Sequence, residues 1–410
     1  MSRSSRVRAI VPLGLTLGAA EAAVRLLAPR EQPPVPAPVA PSEVFSHEEI
    51  RRGRAFARPQ QVLALARSAV EAAVLVALVR RPPRALDRIA PGAAGGAAAG
   101  AGLSITLALA PLPVSAVARR RAVAAGLVTQ SWGGWAADVG KAGVLGAGFA
   151  AAAGAAVTLA MARWPRSWWL VGAGGSVTFG AAMAALAPVL LDPIFNAFTP
   201  LAPGETREDV LALAREAGVH VGEVYSIDAS RRTTAVNAYV TGLGPTKRVV
   251  LFDTLLSRYS RREVAVVVAH ELAHVRGRDV GRGVAFAAVV AAPAALAAGQ
   301  LTELLSGSPP RPSRLPALAL AAGVVGAPLG LIANRLSRML ERRADAVSLE
   351  LTRDPAAFIS FERKVALQNL ADLDPPAWLT RLLSTHPSTL QRIGLARSLI
   401  EPGGPSGPAP

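Results

Sequence analysis

The chain has 410 residues, of which 51% are hydrophobic, and it carries a formal net charge of +16. It contains no cysteine, which excludes disulfides, a thiol nucleophile and any zinc site with cysteine ligands. The positive charge does not indicate a nucleic-acid-binding protein, because the arginines lie scattered beside apolar segments and do not cluster with aromatic residues. Basic residues that flank apolar segments are instead typical of membrane proteins.

Long apolar segments predict a polytopic membrane protein. A spanning helix needs about 20 apolar residues, and soluble helices of that length usually show a polar stripe, which most of these segments lack. The first segment contains Glu21 and Arg25, so a signal peptide is an alternative interpretation of it. The Pro-rich residues 31–41 that follow it predict an extended linker. The predicted spans are 7–28, 61–80, 93–118, 142–162, 167–191, 282–304 and 315–334.

Two polar regions, 192–281 and 335–400, are large enough to fold, and the two spans between them return the chain to the same side of the membrane. The first region predicts a helix at 206–217, strands at 223–228, 235–241 and 248–252, and a helix at 262–275. Gly242, Gly244 and Pro245 predict the turn between the last two strands. The predicted organisation is a membrane region (1–191), a first catalytic part (192–281), two spans (282–334), a second catalytic part (335–400) and a disordered tail (401–410).

The residues His270-Glu271-Leu272-Ala273-His274 form an H-E-x-x-H motif within an apolar helix. Histidines four residues apart lie on one helix face, so both imidazoles can bind a single zinc ion. Glu271 lies further round the helix, where it can reach a water at the metal and act as the catalytic base. A solvated helix surface is disfavoured because the surrounding residues are apolar.

A catalytic zinc site needs a third protein ligand. No histidine stands at position 280, which is Val280, so the extended form of the motif is absent. Glu341 and Asp345 lie four residues apart on a second predicted helix. Such a pair is in general more typical of an exposed surface, but beside an incomplete zinc motif it predicts Glu341 as the ligand and Asp345 as the acceptor of a ligand histidine's N–H.

Several segments together resemble the membrane-embedded zinc endopeptidases typified by CAAX prenyl protease type 1. The resemblance implies a fold that is mainly α, with about seven transmembrane helices and a small α+β zinc metalloprotease domain, and one Zn²⁺ per chain. The segments that carry it are 126–135, 192–201, 237–239, 334–345 and 386–392.

The same resemblance implies roles for residues outside the zinc motif. His386 would stabilise the oxyanion, and Arg392 would support the metal site from behind its ligands. Asn237, Ala238 and Tyr239 would form an edge strand that binds the substrate. His47 and His220 match no motif and receive no role.

The predicted function is an integral-membrane zinc endopeptidase that cleaves membrane or membrane-associated polypeptides, with membrane lipid as its other partner and no nucleic acid. Alternatives are a heat-shock-type quality-control protease, a zinc-binding scaffold without turnover, and a transporter, which would leave the zinc motif unexplained. The composition is typical of a bacterial protein, and more basic residues flank the side of the polar regions, which predicts a plasma-membrane protein with a cytoplasmic active site. The substrate and the oligomeric state are not predicted.

Overall fold

A computed structural model of the chain describes residues 3–31, 33–242, 247–306 and 312–400. The predicted turn residues Gly244 and Pro245 and the predicted tail 401–410 lie outside the described residues. In chain order the elements are α1 (Arg3–Leu27), α2 (Pro41–Val44), α3 (His47–Arg80), α4 (Arg84–Asp87), α5 (Ala93–Leu109), α6 (Leu112–Ala124), α7 (Trp132–Arg163), α8 (Trp168–Leu190), α9 (Asp192–Phe195), β1 (Phe198–Pro200), α10 (Glu205–Glu216), β2 (Glu223–Ile227), β3 (Ala238–Thr241), β4 (Arg248–Phe252), α11 (Asp253–Arg258), α12 (Arg261–Arg276), α13 (Asp279–Ser306), α14 (Leu315–Thr352), α15 (Pro355–Gln368), α16 (Ala377–Leu383) and α17 (Thr389–Ile400).

Six helices among the described residues, α1, α3, α7, α8, α13 and α14, are long and apolar enough to cross a membrane. The pair α5 and α6 also qualifies, although a 41° bend separates the two helices, so the chain has up to seven spans. Six of the predicted spans are therefore confirmed in length and composition, and the predicted span 93–118 corresponds to the bent pair. Helix α1 belongs to the bundle, because Ala20 and Val24 pack with Phe286 of α13 and Leu336 of α14.

Helices α5 and α7 approach each other closely at three glycines. A Cβ atom at Gly96 of α5 would lie 2.4 Å from the carbonyl oxygen of Gly154 of α7, and one at Gly154 would lie 2.2 Å from the carbonyl oxygen of Gly96. Gly100 meets the backbone of Ala150 in the same way. Small residues permit such contacts between helices in lipid, where packing replaces the hydrophobic effect as the driving force.

The sheet has the strand order β1-β2-β4-β3, with β2 parallel to β4 and the outer pairs antiparallel. All three predicted strands are present, and β1 is an addition of only three residues, too short to leave a sequence pattern. Strand β3 begins at Ala238, later than predicted. The reason is that Thr234 and Ala235 bond to Leu127 and to Thr254 instead of to β4. Strand β3 lies at the edge of the described sheet.

Helix α12 begins at a capping box in which Ser260 and Glu263 satisfy each other's backbone N–H groups. Its apolar face is buried in the core that joins the two polar regions, since Val268 and Leu272 pack with Leu251 of β4 and with Phe358 of α15. This packing fixes the rotation of α12. The opposite face, which carries the histidines, is directed towards α14.

Two further features place the site. Helix α12 ends at Arg276 and is capped by Gly277, Arg278 takes a left-handed conformation (φ 54°), and α13 begins at Asp279. The chain therefore changes direction immediately after the zinc motif. Helix α14 is continuous, so the last predicted span and the segment with Glu341 form one rigid element.

Candidate metal centre and active site

Three side chains direct metal-binding atoms at one point. His270 and His274 extend from α12, and their Nε2 atoms lie 3.0 Å apart. Glu341 extends from α14, with Oε2 3.3 Å from Nε2 of His270 and Oε1 3.6 Å from Nε2 of His274. One atom from each side chain lies within 4.8 Å of the other two. The structure therefore brings together the three residues that the sequence predicts as ligands.

The hydrogen bonds of the two imidazoles fit a bound cation. Nδ1 of His270 lies 2.9 Å from Oδ1 of Asp345, and Nδ1 of His274 lies 2.8 Å from Oδ2 of Asp279. Because a carboxylate only accepts hydrogen bonds, each Nδ1 carries the proton and each Nε2 of a neutral imidazole has a free lone pair. Two lone pairs facing each other at 3.0 Å repel unless a positive charge lies between them.

Glu341 provides a second test of whether these residues fit a metal ion. Its Oε2 atom is buried and makes no hydrogen bond among the described residues. A buried carboxylate oxygen without a partner is costly in a protein interior. A metal ion bound by the two histidines would satisfy it, so the residues present fit a metal.

Glu271 is adjacent to the three candidate metal ligands but does not belong to the cluster that they form. Its carboxylate is influenced by the charges of His270, His274 and Glu341, and no hydrogen bond to it is seen among the described residues. Burial raises the pKa of the Glu271 carboxyl above its usual value. A carboxylate in this position is available to accept and release a proton.

His386 lies on the other side of Glu341, in the segment between α16 and α17. Its Nε2 atom is 3.4 Å from Oε1 of Glu341, and its Nδ1 atom is 2.8 Å from Oγ1 of Thr385. The side chain is 58% exposed, so one face of the imidazole is accessible to a ligand. The structure thus places His386 beside Glu341 of the candidate metal centre.

Asp345 and Arg392 lie behind His270. Arg392 of α17 donates from Nε to Oδ2 of Asp345 at 2.9 Å and also from Nη2 to Oδ1. Its Nη1 atom lies 2.7 Å from Oε1 of Glu362, a fully buried residue for which the sequence predicts no role. Burial raises the pKa of Glu362 to about 7. His270, Asp345, Arg392 and Glu362 therefore form one continuous chain of contacts.

A matching arrangement lies behind His274, and sequence reasoning missed it. Asp279, at the first position of α13, accepts from Nδ1 of His274 and is held by Nη2 of Arg343 at 2.7 Å. Gly277 makes room for this contact, because a Cβ atom there would lie within 2.1 Å of the guanidinium of Arg343. The only sequence signal is an aspartate that follows the zinc motif by five residues, and it becomes meaningful once the helix break is known.

The three predicted substrate-binding residues lie at the start of strand β3. Asn237 is exposed and its backbone carbonyl accepts from Phe252 of β4, so the N–H of Ala238, on the opposite side of the same peptide plane, points to the open edge. That N–H is bonded to Oδ1 of Asn237 itself. Tyr239 instead donates from its hydroxyl to Oδ2 of Asp192 at 3.1 Å, which ties the sheet to the start of α9.

Comparison with known proteins identifies the family. Residues 200–400 match the sequence profile of peptidase family M48. "Uncharacterized metalloprotease YhfN" of Bacillus subtilis is 32% identical over 244 residues, which are 56% of each chain. "Protease HtpX homolog" of Burkholderia thailandensis is 32% identical over 218 residues, which are 47% of this chain and 73% of that protein. The chain belongs to peptidase family M48.

Two further similarities bear on the fold of this M48 protein. "CAAX prenyl protease 1" of Saccharomyces cerevisiae is 46% identical over 88 residues, which are 21% of this chain and 19% of that protein. The crystal structure of S. mikatae Ste24p covers 97% of this chain and 99% of that chain with a TM-score of 0.75 and 18% identity, which shows a shared fold. The matched part spans about half of the Bacillus protein and about a fifth of the Saccharomyces protein. The family resemblance read from the sequence is confirmed.

Proposed function

We propose that this chain is an integral-membrane zinc endopeptidase that hydrolyses peptide bonds in membrane or membrane-associated polypeptides. The observation that carries the proposal is the convergence of His270, His274 and Glu341, with Glu271 beside them. The Nδ1–H group of each histidine is already bonded to a carboxylate, which leaves both Nε2 atoms for a metal. Two imidazoles and one carboxylate are a ligand set of catalytic zinc sites, which leave one position open. We propose that each chain binds one zinc ion.

The roles of the residues follow from their positions. Bound zinc supplies Lewis acidity to the scissile carbonyl and to the attacking water. Glu271 accepts the proton of that water on its carboxylate and then donates it to the leaving amine. His386 donates a hydrogen bond from its exposed imidazole to the oxyanion that develops on the substrate. Asp345 and Asp279 hold the ligand histidines in the tautomer that binds metal.

The open edge of β3 is the proposed binding place for the peptide. Main-chain groups at a sheet edge bind an extended peptide as an added strand. The N–H of Ala238 points to this edge, and the side chain of Asn237 must turn away before a substrate carbonyl can replace it. Strand β3 lies against α12, so an added strand would pass close to the metal centre.

The catalytic unit proposed here consists of 192–281 and 335–400, with the two spans of 282–334 between them. A single core supports it, because Val210 and Leu272 of the first part share a buried cluster with Phe358 and Leu395 of the second. We place this unit on the cytoplasmic side of a bacterial plasma membrane, since basic residues are concentrated on its flank.

An apolar cavity supports the proposal that the substrates carry a hydrophobic segment. It has a volume of about 850 Å³, lies between α7 and α8, and is lined mainly by glycine and alanine together with Phe149 and Phe179. A cavity of this size and lining accommodates an alkyl chain or an apolar helix segment. We propose that it receives the apolar part of a membrane-associated substrate.

A peptidase assay on the purified full-length chain tests the proposal. Cleavage of a membrane-protein substrate is expected to stop on chelation, to return with zinc, and to be absent in Glu271→Gln. Cleavage that is insensitive to chelation would exclude the metal mechanism. Zinc binding without any cleavage, across a broad set of membrane polypeptides, would instead identify a zinc-binding scaffold.

A further inference from the structure

A pocket rich in arginine lies where α14 leaves its apolar segment. We call it the basic pocket: a cavity of about 330 Å³ between α14 and α16. Its depth relative to the membrane follows from the sequence, because the uncharged residues 315–334 of α14 end immediately before the first arginine of the pocket. It therefore lies at the level of the membrane surface on the same side as the metal centre. Its arginines are Arg335, Arg338, Arg342 and Arg381.

Most of this charge has no acidic partner. Arg335 forms an ion pair with Glu21 of α1 at 2.6 Å. Arg338 donates to the backbone carbonyl oxygens of Arg381, at 2.6 Å, and of Ser384. Among the described residues, no carboxylate lies within ion-pair distance of Arg338, Arg342 or Arg381. Several guanidinium groups around one cavity repel one another, and an anion in the cavity would offset that repulsion.

Helix α16 presents an apolar face beside the basic pocket. Trp378 is 61% exposed, and Leu382, one turn further along the helix, is 47% exposed. The helix is held against α14 because Asn334 donates to the carbonyl of Leu382 at 3.0 Å and Arg338 to that of Arg381. An exposed tryptophan next to leucines at the end of a span is typical of the membrane–water interface. Large exposed apolar side chains of this kind mark an interaction surface.

We propose that the basic pocket binds the phosphate-bearing headgroup of an anionic phospholipid and that the apolar face of α16 contacts its acyl chains. Guanidinium groups bind phosphate through paired, charge-assisted hydrogen bonds. Each basic residue near the membrane surface strengthens the attraction to anionic lipid. The site is distinct from the metal centre, although Arg342 directly follows Glu341 in α14.

A lipid fits the observations better than a soluble anion. Free phosphate would use the arginines and leave Trp378 and Leu382 exposed, whereas a phospholipid uses both features at once. An acidic group of a polypeptide substrate would also use the arginines alone. The depth of the pocket, at the end of the apolar segment of α14, places it among lipid headgroups.

Native mass spectrometry of the full chain in detergent, titrated with phosphatidylglycerol or phosphatidylcholine of identical acyl chains, tests the proposal. Phosphatidylglycerol is expected to bind about tenfold or more tightly than phosphatidylcholine. Arg342→Gln combined with Arg381→Gln should remove this preference. Both side chains are exposed and donate no hydrogen bond within the described residues, so the variant should fold.

Arg215→Gln combined with Arg258→Gln is the matched control, because these exposed arginines of the catalytic unit also lack ion pairs in the described structure and carry the same charge. The control should keep the preference for phosphatidylglycerol. Trp378→Ala should weaken the binding of phosphatidylglycerol several-fold. An unchanged lipid preference in the Arg342/Arg381 variant would overturn the proposal. Competition by sn-glycerol 3-phosphate with the affinity of the whole lipid would also overturn it, since that result would identify a soluble-phosphate site.

Discussion

The imidazole of His274 and the carboxylate of Asp279 lie 2.8 Å apart across the break between α12 and α13. Arg343 of α14 holds the same carboxylate at 2.7 Å. The pair repeats, at the second histidine, the contact of His270 with Asp345 and Arg392. Each candidate ligand histidine thus has its own carboxylate and its own arginine, and in each case the carboxylate and the arginine come from different helices.

The first prediction is that Asp279 and Asp345 contribute comparably to metal affinity. Asp279→Ala and Asp345→Ala should each weaken zinc binding about 10–100-fold, because each histidine loses the acceptor that fixes its tautomer. Competition with a chromophoric chelator measures the affinity. Asp209→Ala, which removes an exposed carboxylate paired with Arg261, is the control. Wild-type affinity in Asp279→Ala would show that the contact across the helix break does not support the site.

The second prediction separates the ligand from the base. Glu341→Ala should lose both zinc and activity, because it removes one of three ligands. Glu271→Gln should keep zinc near one ion per chain and lose activity by about 100- to 10,000-fold, since a general base contributes that much. Metal analysis and peptide cleavage on the same preparations provide both readouts. Loss of zinc in Glu271→Gln would mean that Glu271 is a ligand.

The third prediction concerns the contact between α5 and α7. Gly154→Ala should lower the midpoint of thermal unfolding, because the new Cβ atom meets the carbonyl oxygen of Gly96, a backbone atom that cannot turn away. Overpacking of this kind costs about 1–3 kcal/mol. Gly148→Ala, on the same helix with open space around it, is the matched control and should have little effect. Equal midpoints for the two variants would contradict the close packing.

The fourth prediction concerns orientation. A reporter fused after Ile400 should be active in the cytoplasm, because Arg276, Arg278 and Arg282 precede the apolar part of α13 on the side of the catalytic unit. The opposite flank also carries arginines, such as Arg163 and Arg166, so the bias is moderate. A reporter fused within 163–167 should report the other side of the membrane. The reverse pattern for the two fusions would place the active site outside the cytoplasm.

The convergence of His270, His274 and Glu341 could be predicted from the sequence because these residues obey helical periodicity. The spacing of His270 and His274 fixes a shared face of α12, and the spacing of Glu341 and Asp345 does the same on α14. Asp279 could not be predicted in this way, because its contact depends on the backbone of Arg278 turning left-handed after Gly277. That conformation is a property of the junction and leaves no periodic signal.

The prediction of the sheet from the sequence has the same limit. Strand β4 contains an apolar run and β2 is rich in residues that favour strands, and both are found close to their predicted bounds. The start of β3 is displaced because Thr233 and Thr234 bond to the loop before α7, a contact between residues about a hundred positions apart. The basic pocket combines arginines of α14 with one of α16, and only the fold brings these two helices together.

The last prediction tests the apolar cavity between α7 and α8. Two peptides with the same scissile sequence, one carrying an alkyl chain, should differ in kcat/KM by about tenfold or more in favour of the lipidated peptide. Burial of each methylene group contributes about 0.8 kcal/mol, so a few buried groups are sufficient for this difference. Both peptides must be measured in one detergent at equal enzyme concentration.

A pair of variants in α8 locates the origin of that preference. Gly175 lines the cavity, whereas the adjacent Gly174 does not, and a Cβ atom meets no neighbour at either position. Gly175→Leu fills part of the cavity and should lower kcat/KM for the lipidated peptide while the soluble peptide is cleaved as before. Gly174→Leu should leave both values unchanged. If Gly175→Leu lowers both values equally, the cavity serves helix packing and does not receive the substrate. Equal values for the two peptides with the wild-type protein would exclude a substrate chamber altogether, because an apolar chain that enters the cavity must contribute binding energy.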